Sequence, residues 1–425
     1  MRVSLLVLFG VAGAIGAAAE TDLDGFFRLA PDAAAGLAED GVYPQGRRFP
    51  FALFSVGGSV ATAAERDAAI ARVKSDGFSM IGPQYELNDR VVEDAEEHGL
   101  KAVYTVGLPM DFLSDKPLDL TPDEIREQIG EQVDAVASSP VIAWWYLQPE
   151  ELRYWRANEM AYLDAASEAI READPQRRPI WMYDPGHRTA EGLRPTATRL
   201  DVCGKGLYTN YSGRRDARVW VRWSIEQEVE AIAQANPGAV PIAVPEMFEQ
   251  PEADHVAWVP AWVRHDMYAA LIAGAKGAVV FSMRRRDGFT AHDRYYQSYA
   301  QVAREVSGEG GLGAVFLFGE RRDDLSVRVV EGPATLALAF GKGDALHVEQ
   351  YASVSFLDVA YGLDRYLFAV NSSYGHVRAV VSGLPAGPIA TRDVLGGAET
   401  ATVEGGRFEL RFEPLGVHGL RFSRP

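Results

Sequence analysis

The chain has one cysteine in 425 residues, Cys203, which excludes an intrachain disulfide and any cysteine-based metal site. Basic residues number 42 against 59 acidic ones, for a formal net charge of −17. Such a surface repels nucleic acid and anionic lipid at long range, so no nucleic-acid partner is expected. With 8 histidines, no H-x-H pair and no H-E-x-x-H motif, no catalytic metal or other cofactor is expected. A serine-hydrolase elbow, G-x-S-x-G, is also missing. Beyond the first twenty residues, no hydrophobic run reaches the length of a membrane span. What is there is globular in composition: 47% hydrophobic and 24% charged, with 41 Gly and 23 Pro.

Residues 1–20 read MRVSLLVLFGVAGAIGAAAE. A positive start at Arg2, an apolar stretch from Val3 to Ile15, and Ala17-Ala18-Ala19 fit a cleaved signal peptide over residues 1–19. The mature chain is then expected to begin near Glu20, to be secreted or periplasmic, and to have no membrane partner after cleavage.

From residue 50 onward, short apolar runs alternate with helical patterns. The runs are Phe51–Val56, Phe78–Ile81, Lys101–Val106, Val141–Leu147, Pro179–Tyr183, Val202–Tyr208, Pro241–Val244 and Gly277–Ser282. Helix signals fall between them. Ile70 and Val73 share one face of Ala63–Asp76, and Thr121-Pro122-Asp123-Glu124 supplies a cap, a first-turn proline and an acidic first turn. Further helical patterns cover Tyr154–Ala173, Ser224–Ala235 and His265–Ala275. Strands apolar throughout and separated by helices imply a parallel sheet covered on both faces. Eight such units predict an α/β fold, a (β/α)8 TIM barrel over residues 20–308, with a doubly wound sheet as the alternative. Past Gly308 the helical period gives way to short alternating segments punctuated by Gly, Pro, Asn and Asp. Residues 309–425 are therefore expected to form a small all-β sandwich.

In such a barrel, working residues occupy the C-terminal strand ends and the loops that follow. The fourth run leads into Gln148-Pro149-Glu150-Glu151 and the seventh into Val244-Pro245-Glu246. Two carboxyls thus reach one rim, as hydrolysis of a glycosidic bond requires, one protonated and one ionised. Trp144 and Trp145 offer an apolar surround for Glu150. Glu86, Glu151 and Glu249 read instead as solvated or capping carboxylates.

This arrangement resembles the clan A-like (β/α)8 glycoside hydrolases, which carry an acid/base on strand 4 and a nucleophile on strand 7. The run from His265 to Phe281 is similar to their last helix and eighth strand. The resemblance implies Glu150 as acid/base, Glu246 as nucleophile and a retaining mechanism on a polysaccharide or oligosaccharide. It also implies that a tyrosine after strand 6, where Tyr208 and Tyr211 stand, donates to the nucleophile. Two positions depart from the pattern. Pro149 stands where many members have Asn before the acid/base, and Ser282-Met283-Arg284-Arg285-Arg286 replaces a tryptophan platform.

All eight tryptophans, 144, 145, 155, 181, 220, 223, 258 and 262, lie between strand 4 and the helix before strand 8, and none lies in the β-module. Flat aromatic faces stack on sugars, and about half of these rings are expected at subsites. The expected substrate-binding residues are Trp145, Trp181, Tyr183, Asp184, His187, Tyr208, Asn210, Trp220, Trp258 and Arg284. The Arg284–Arg286 run offers planar cationic forks, so an acidic sugar fits this rim. Two other readings remain open: a non-catalytic carbohydrate-binding barrel, and a Schiff-base lyase using Lys205.

Overall fold

The computed structural model describes residues 23–57, 62–85, 88–109, 120–308, 310–340, 346–396, 401–403 and 405–424. The signal-peptide segment and Glu86 lie outside the described residues.

Eight parallel strands close into a barrel: β1 (Phe51–Leu53), β2 (Met80–Ile81), β3 (Lys101–Gly107), β4 (Ile142–Gln148), β5 (Ile180–Asp184), β6 (Val202–Leu207), β7 (Val240–Pro245) and β8 (Ala278–Val280). Each strand pairs with its neighbours in sequence order, and β8 closes on β1, with Ala278 opposite Phe51. Each is followed by a helix: α1 (Ala63–Ser75), α2 (Val91–His98), α3 (Pro122–Asp134), α4 (Ala157–Ala173), α5 (Ala190–Ala197), α6 (Val219–Ala235), α7 (Val259–Ala273) and α8 (His292–Val306). The closed barrel excludes the doubly wound alternative. The Thr121–Glu124 pair forms a capping box, as does Thr62–Glu65 at the start of α1, so orphan N–H groups of both helices are satisfied. No helix among the described residues is long and apolar enough to cross a membrane.

Strand alternation sorts the side chains. Val240, Ile242 and Val244 of β7 point into the barrel, together with Trp144 and Tyr146 of β4 and Trp181 and Tyr183 of β5. Their neighbours Trp145, Leu147, Met182, Cys203 and Leu207 face the helical layer. Beyond Val202, the inner face of β6 carries only glycines, Gly204 and Gly206. A Cβ at Gly204 would lie 2.5 Å from Trp181 Nε1, and one at Gly206 would lie 2.2 Å from the Tyr183 hydroxyl. The two large β5 rings fill the space these glycines leave. Val42 plugs the far end of the barrel, where the Tyr43 carbonyl accepts from Trp144 Nε1 at 3.1 Å.

A short helix, α9 (Leu312–Phe318), leads into antiparallel sheets. The larger contains β12 (Val354–Tyr361), β13 (Asp364–Asn371), β15 (Ile389–Asp393) and β17 (Val417–Ser423). The smaller contains β9 (Ser326–Glu331), β14 (Val377–Ser382) and β16 (Arg407–Phe412). A hairpin, β10 (Thr335–Phe340) with β11 (His347–Ala352), stands apart and rests on α6. Leu367, Ala369, Ala379, Val381 and Leu410 fill the space between the two sheets. Phe26 and Phe27 join this core, and Arg365 donates to the Phe26 carbonyl at 3.0 Å. The first described residues therefore pack with the C-terminal module rather than the barrel. The opposite face of the larger sheet, through Phe368 and Val370, continues the barrel's helical core. Tyr268 of α7 stacks there, 6.4 Å from Phe368.

Candidate active site

The period-two alternation that turns Val240, Ile242 and Val244 inward delivers Glu246 to the barrel mouth on the same face. It is 3% exposed. Its Oε1 accepts the backbone N–H of Asn210 at 2.7 Å and its Oε2 that of Tyr211 at 3.1 Å. The Thr209 hydroxyl lies 3.3 Å from Oε1. Below it, buried Arg218 reaches Thr209 Oγ1 at 3.0 Å, Asp266 Oδ2 at 2.5 Å and Asn210 Oδ1 at 2.9 Å. Burial pushes the Glu246 carboxyl up to about 7, against the pull of the two amides and of Arg218.

On β4 the same alternation carries Trp144 and Tyr146 inward and then Glu150, half-buried. Its oxygens accept phenol hydroxyls from Tyr85, at 3.0 Å, and from Tyr146. Burial raises this carboxyl to about 7; the Tyr85 hydrogen bond lowers it and the neighbouring Glu151 raises it. The two glutamates thus differ in the kind of donor they face. Amide N–H groups can only donate, which favours an anion, whereas a phenol can rotate to accept from a protonated acid.

Aromatic rings join the two positions. Tyr85 lies 6.4 Å from Phe281, Phe281 lies 5.9 Å from Tyr208, and Tyr208 stacks on Tyr183 at 5.7 Å. The Phe281 backbone bridges to Glu246. Arg286 hangs over Phe248 at 4.7 Å and Phe281 at 5.9 Å. Beside Glu150 a cleft of about 450 Å³ is lined by Glu151, Arg153, Trp155, Pro185, His187 and Arg188.

Of the expected binding residues, Tyr183, Tyr208 and His187 reach this mouth, and Arg284 is exposed on the loop after β8. Several others do not. Trp145 faces the helices and donates from Nε1 to Asp174 at 2.9 Å. Trp181 is fully buried inside the barrel, 4.6 Å from Tyr146. Asp184 turns outward into a buried pair with Arg188, supported by Thr196 at 3.0 Å. Trp220 packs with Trp223 and Leu338 against the module's hairpin, and Trp258 packs edge-on against Tyr374 at 5.2 Å. Asn210 reaches the mouth only through its backbone N–H on Glu246, both side-chain polar atoms being engaged by Arg218 and by Tyr295 at 2.9 Å. The expectation of about half the tryptophans at subsites fails because six are 5% exposed or less. Trp155, 63% exposed, is the broadly open one.

The Tyr208 hydroxyl goes to Tyr183 rather than to Glu246, whose donors come from the next three residues. Lys205 faces the helical layer, its Nζ on the Arg188 carbonyl at 2.7 Å and 4.7 Å from the Trp223 ring. That placement removes it from the mouth and from any Schiff-base chemistry there. Tyr85 was missed although an aromatic after the second strand was visible by the same strand-end rule. Thr209, Arg218 and Asp266 carried no local signal.

No family model matches the chain, and no curated protein matches it in sequence. Among solved structures it is similar to an α-amylase from Geobacillus thermoleovorans complexed with acarbose, over 89% of this chain and 99% of that one (TM-score 0.57, 8% identity). It is similar to a glycoside hydrolase family 5 protein from Bacteroides vulgatus over 91% and 92% (TM-score 0.55, 14% identity). A GH30 endoxylanase from Clostridium papyrosolvens matches over 89% and 96% (TM-score 0.52, 11% identity). At these identities the likeness is one of fold. The chain has the architecture of the barrel glycoside hydrolases, without assignment to a single family.

Proposed function

We propose that the chain is an exported glycoside hydrolase that cleaves O-glycosidic bonds of a polysaccharide or oligosaccharide, with Glu150 as acid/base and Glu246 as nucleophile. The observation that carries this reading is the pair of carboxyls at the ends of β4 and β7, half-buried Glu150 held by phenols and buried Glu246 by backbone amides. Export rests on the residue 1–20 pattern alone.

In the first step a Glu246 oxygen attacks the anomeric carbon while Glu150 gives its proton to the departing glycosidic oxygen. A glycosyl ester on Glu246 results. Glu150, now a carboxylate, takes a proton from water as that water attacks the same carbon, and Glu246 leaves as the anion. The amides of Asn210 and Tyr211 stabilise Glu246 at the start and the end of the cycle. Burial of Glu150 keeps its proton available near neutral pH. Arg286, poised over the rim aromatics, suits a carboxylate or sulfate on the sugar, so the substrate range extends to acidic polymers.

The test is reducing-sugar release from neutral and acidic polysaccharides by the chain from Glu20 onward, beside Glu150→Gln and Glu246→Gln. Release that both variants abolish supports the reading. Release surviving both substitutions places the catalytic pair elsewhere. Binding without release from any polymer makes the barrel a carbohydrate-binding protein.

A further inference from the structure

The C-terminal module sends one loop, residues 372–376 between β13 and β14, toward the support of Glu246. Asn371 fixes this loop by accepting from Ser373 N at 3.0 Å and donating to the carbonyls of Gly375 and Glu413. Two hydroxyls project from it. Tyr374 accepts from Trp262 Nε1 at 2.9 Å and from Arg218 Nε at 3.2 Å, and donates to the Arg215 carbonyl at 2.8 Å. Ser372, 3% exposed, meets His265 Nε2 at 2.9 Å, and His265 Nδ1 meets Asp266 Oδ1 at 2.8 Å.

Both routes end on the Arg218–Asp266 pair. Every nitrogen of the Arg218 guanidinium is then assigned: Nε to the module, Nη1 to Thr209 and Asp266, and Nη2 to Asn210. A planar fork held on one edge by Tyr374 cannot tilt without dragging the 209–210 segment, whose backbone grips Glu246. Tyr295 and Tyr299 of α8 close the remaining side, through the Asn210 side chain and the Glu246 carbonyl. Apolar packing would suffice to dock the two domains. Buried hydroxyls bonded into this network serve an additional end.

We propose that Tyr374 and Ser372 are positioning residues for Glu246, so that the β-module completes the active site of the barrel. The proposal rests on the reading of Glu246 as the nucleophile for its catalytic consequence, but its structural part stands separately.

Tyr374→Phe and Ser372→Ala in the full chain test it, with Leu338→Val as a control that loosens the module's hairpin on Trp220 and Trp223. The first readout is the titration of Glu246 by carboxyl 13C NMR, its signal assigned by loss in Glu246→Gln. The second is turnover of whichever aryl glycoside the parent cleaves. The expected result for Tyr374→Phe is a Glu246 midpoint higher by about half a pH unit or more, because Arg218 no longer aligns with the segment. Ser372→Ala moves it in the same direction by less, through His265 and Asp266. Turnover falls about tenfold to hundredfold with KM little changed. The control, compared at equal loss of thermal stability, leaves both readouts in place. A Glu246 midpoint that moves no more in the two variants than in the control overturns the proposal. A shifted midpoint in a chain that cleaves no glycoside retains the positioning role and removes the catalytic reading.

Discussion

The backbone N–H of Asn210 lies 2.7 Å from Oε1 of Glu246. With Tyr211 on the other oxygen, it favours the ionised form against the burial that pushes this carboxyl up, and among the described residues no amide N–H is seen on Glu150. The proposed division of labour between the two glutamates rests on that difference. Both are pushed up to about 7 by burial, so they titrate as neighbours rather than as widely separated groups.

The first consequence is a pH profile. Under the proposed mechanism, activity rises as Glu246 loses its proton and falls as Glu150 loses its own. With both held at about 7, kcat/KM is expected to trace a narrow bell centred near neutral pH. A maximum at about pH 5 or below, measured on one substrate across the range, would count against this assignment.

Replacing the acid separates its chemistry from its structural cost. Glu150→Gln should lose roughly 10²–10⁴-fold on natural linkages, and far less on aryl glycosides whose leaving group needs no proton. Stability should change in the opposite sense. The folded carboxyl sits near 7 against an ordinary 4.5, so the penalty is absent below the lower value and complete above the higher one. Glu150→Gln therefore stabilises the fold at alkaline pH by on the order of 2 kcal/mol, with a higher melting temperature there and not in acid. Equal shifts at both extremes would show that the carboxyl is not perturbed.

Two glycine substitutions carry opposite expectations. Gly206→Ala places a Cβ 2.2 Å from the Tyr183 hydroxyl and should destabilise by about 1–3 kcal/mol while weakening substrate binding at the Tyr183–Tyr208 stack. Gly130→Ala, within α3 and with nothing within 4 Å of the new Cβ, should stabilise by about 0.5–1 kcal/mol. Denaturant melts of both variants check the pair.

The arginine rim gives a selectivity prediction. Arg286→Gln should raise KM for an acidic polymer about tenfold, or ~1.4 kcal/mol, and leave a neutral one unchanged. Added salt should mimic the substitution in the parent chain. Equal loss on both polymers would mean that the guanidinium only packs on Phe248.

Trp155 offers a complementary test at the other side of the mouth. Its open ring lines the cleft beside Glu150. Trp155→Ala should raise KM for oligosaccharides spanning that cleft and spare small aryl glycosides, as steady-state kinetics would show.

The sequence by itself determined the barrel and the two carboxyls. Strand identity follows from apolar runs, and alternation then sends Glu150 and Glu246 to one rim, because a period of two is a local property of extended chain. The same rule does not say which parity faces inward, and so Trp145 and Asp184 were expected at a mouth they turn away from. Alternation also could not show that Trp181, though inward, lies too deep to meet a ligand. Only tertiary structure brought Tyr85 to Glu150 across 65 residues, and Tyr374 to Arg218 across 156. Those contacts depend on how closed strands and a docked module place distant side chains, and no residue near either glutamate in sequence carries a trace of them.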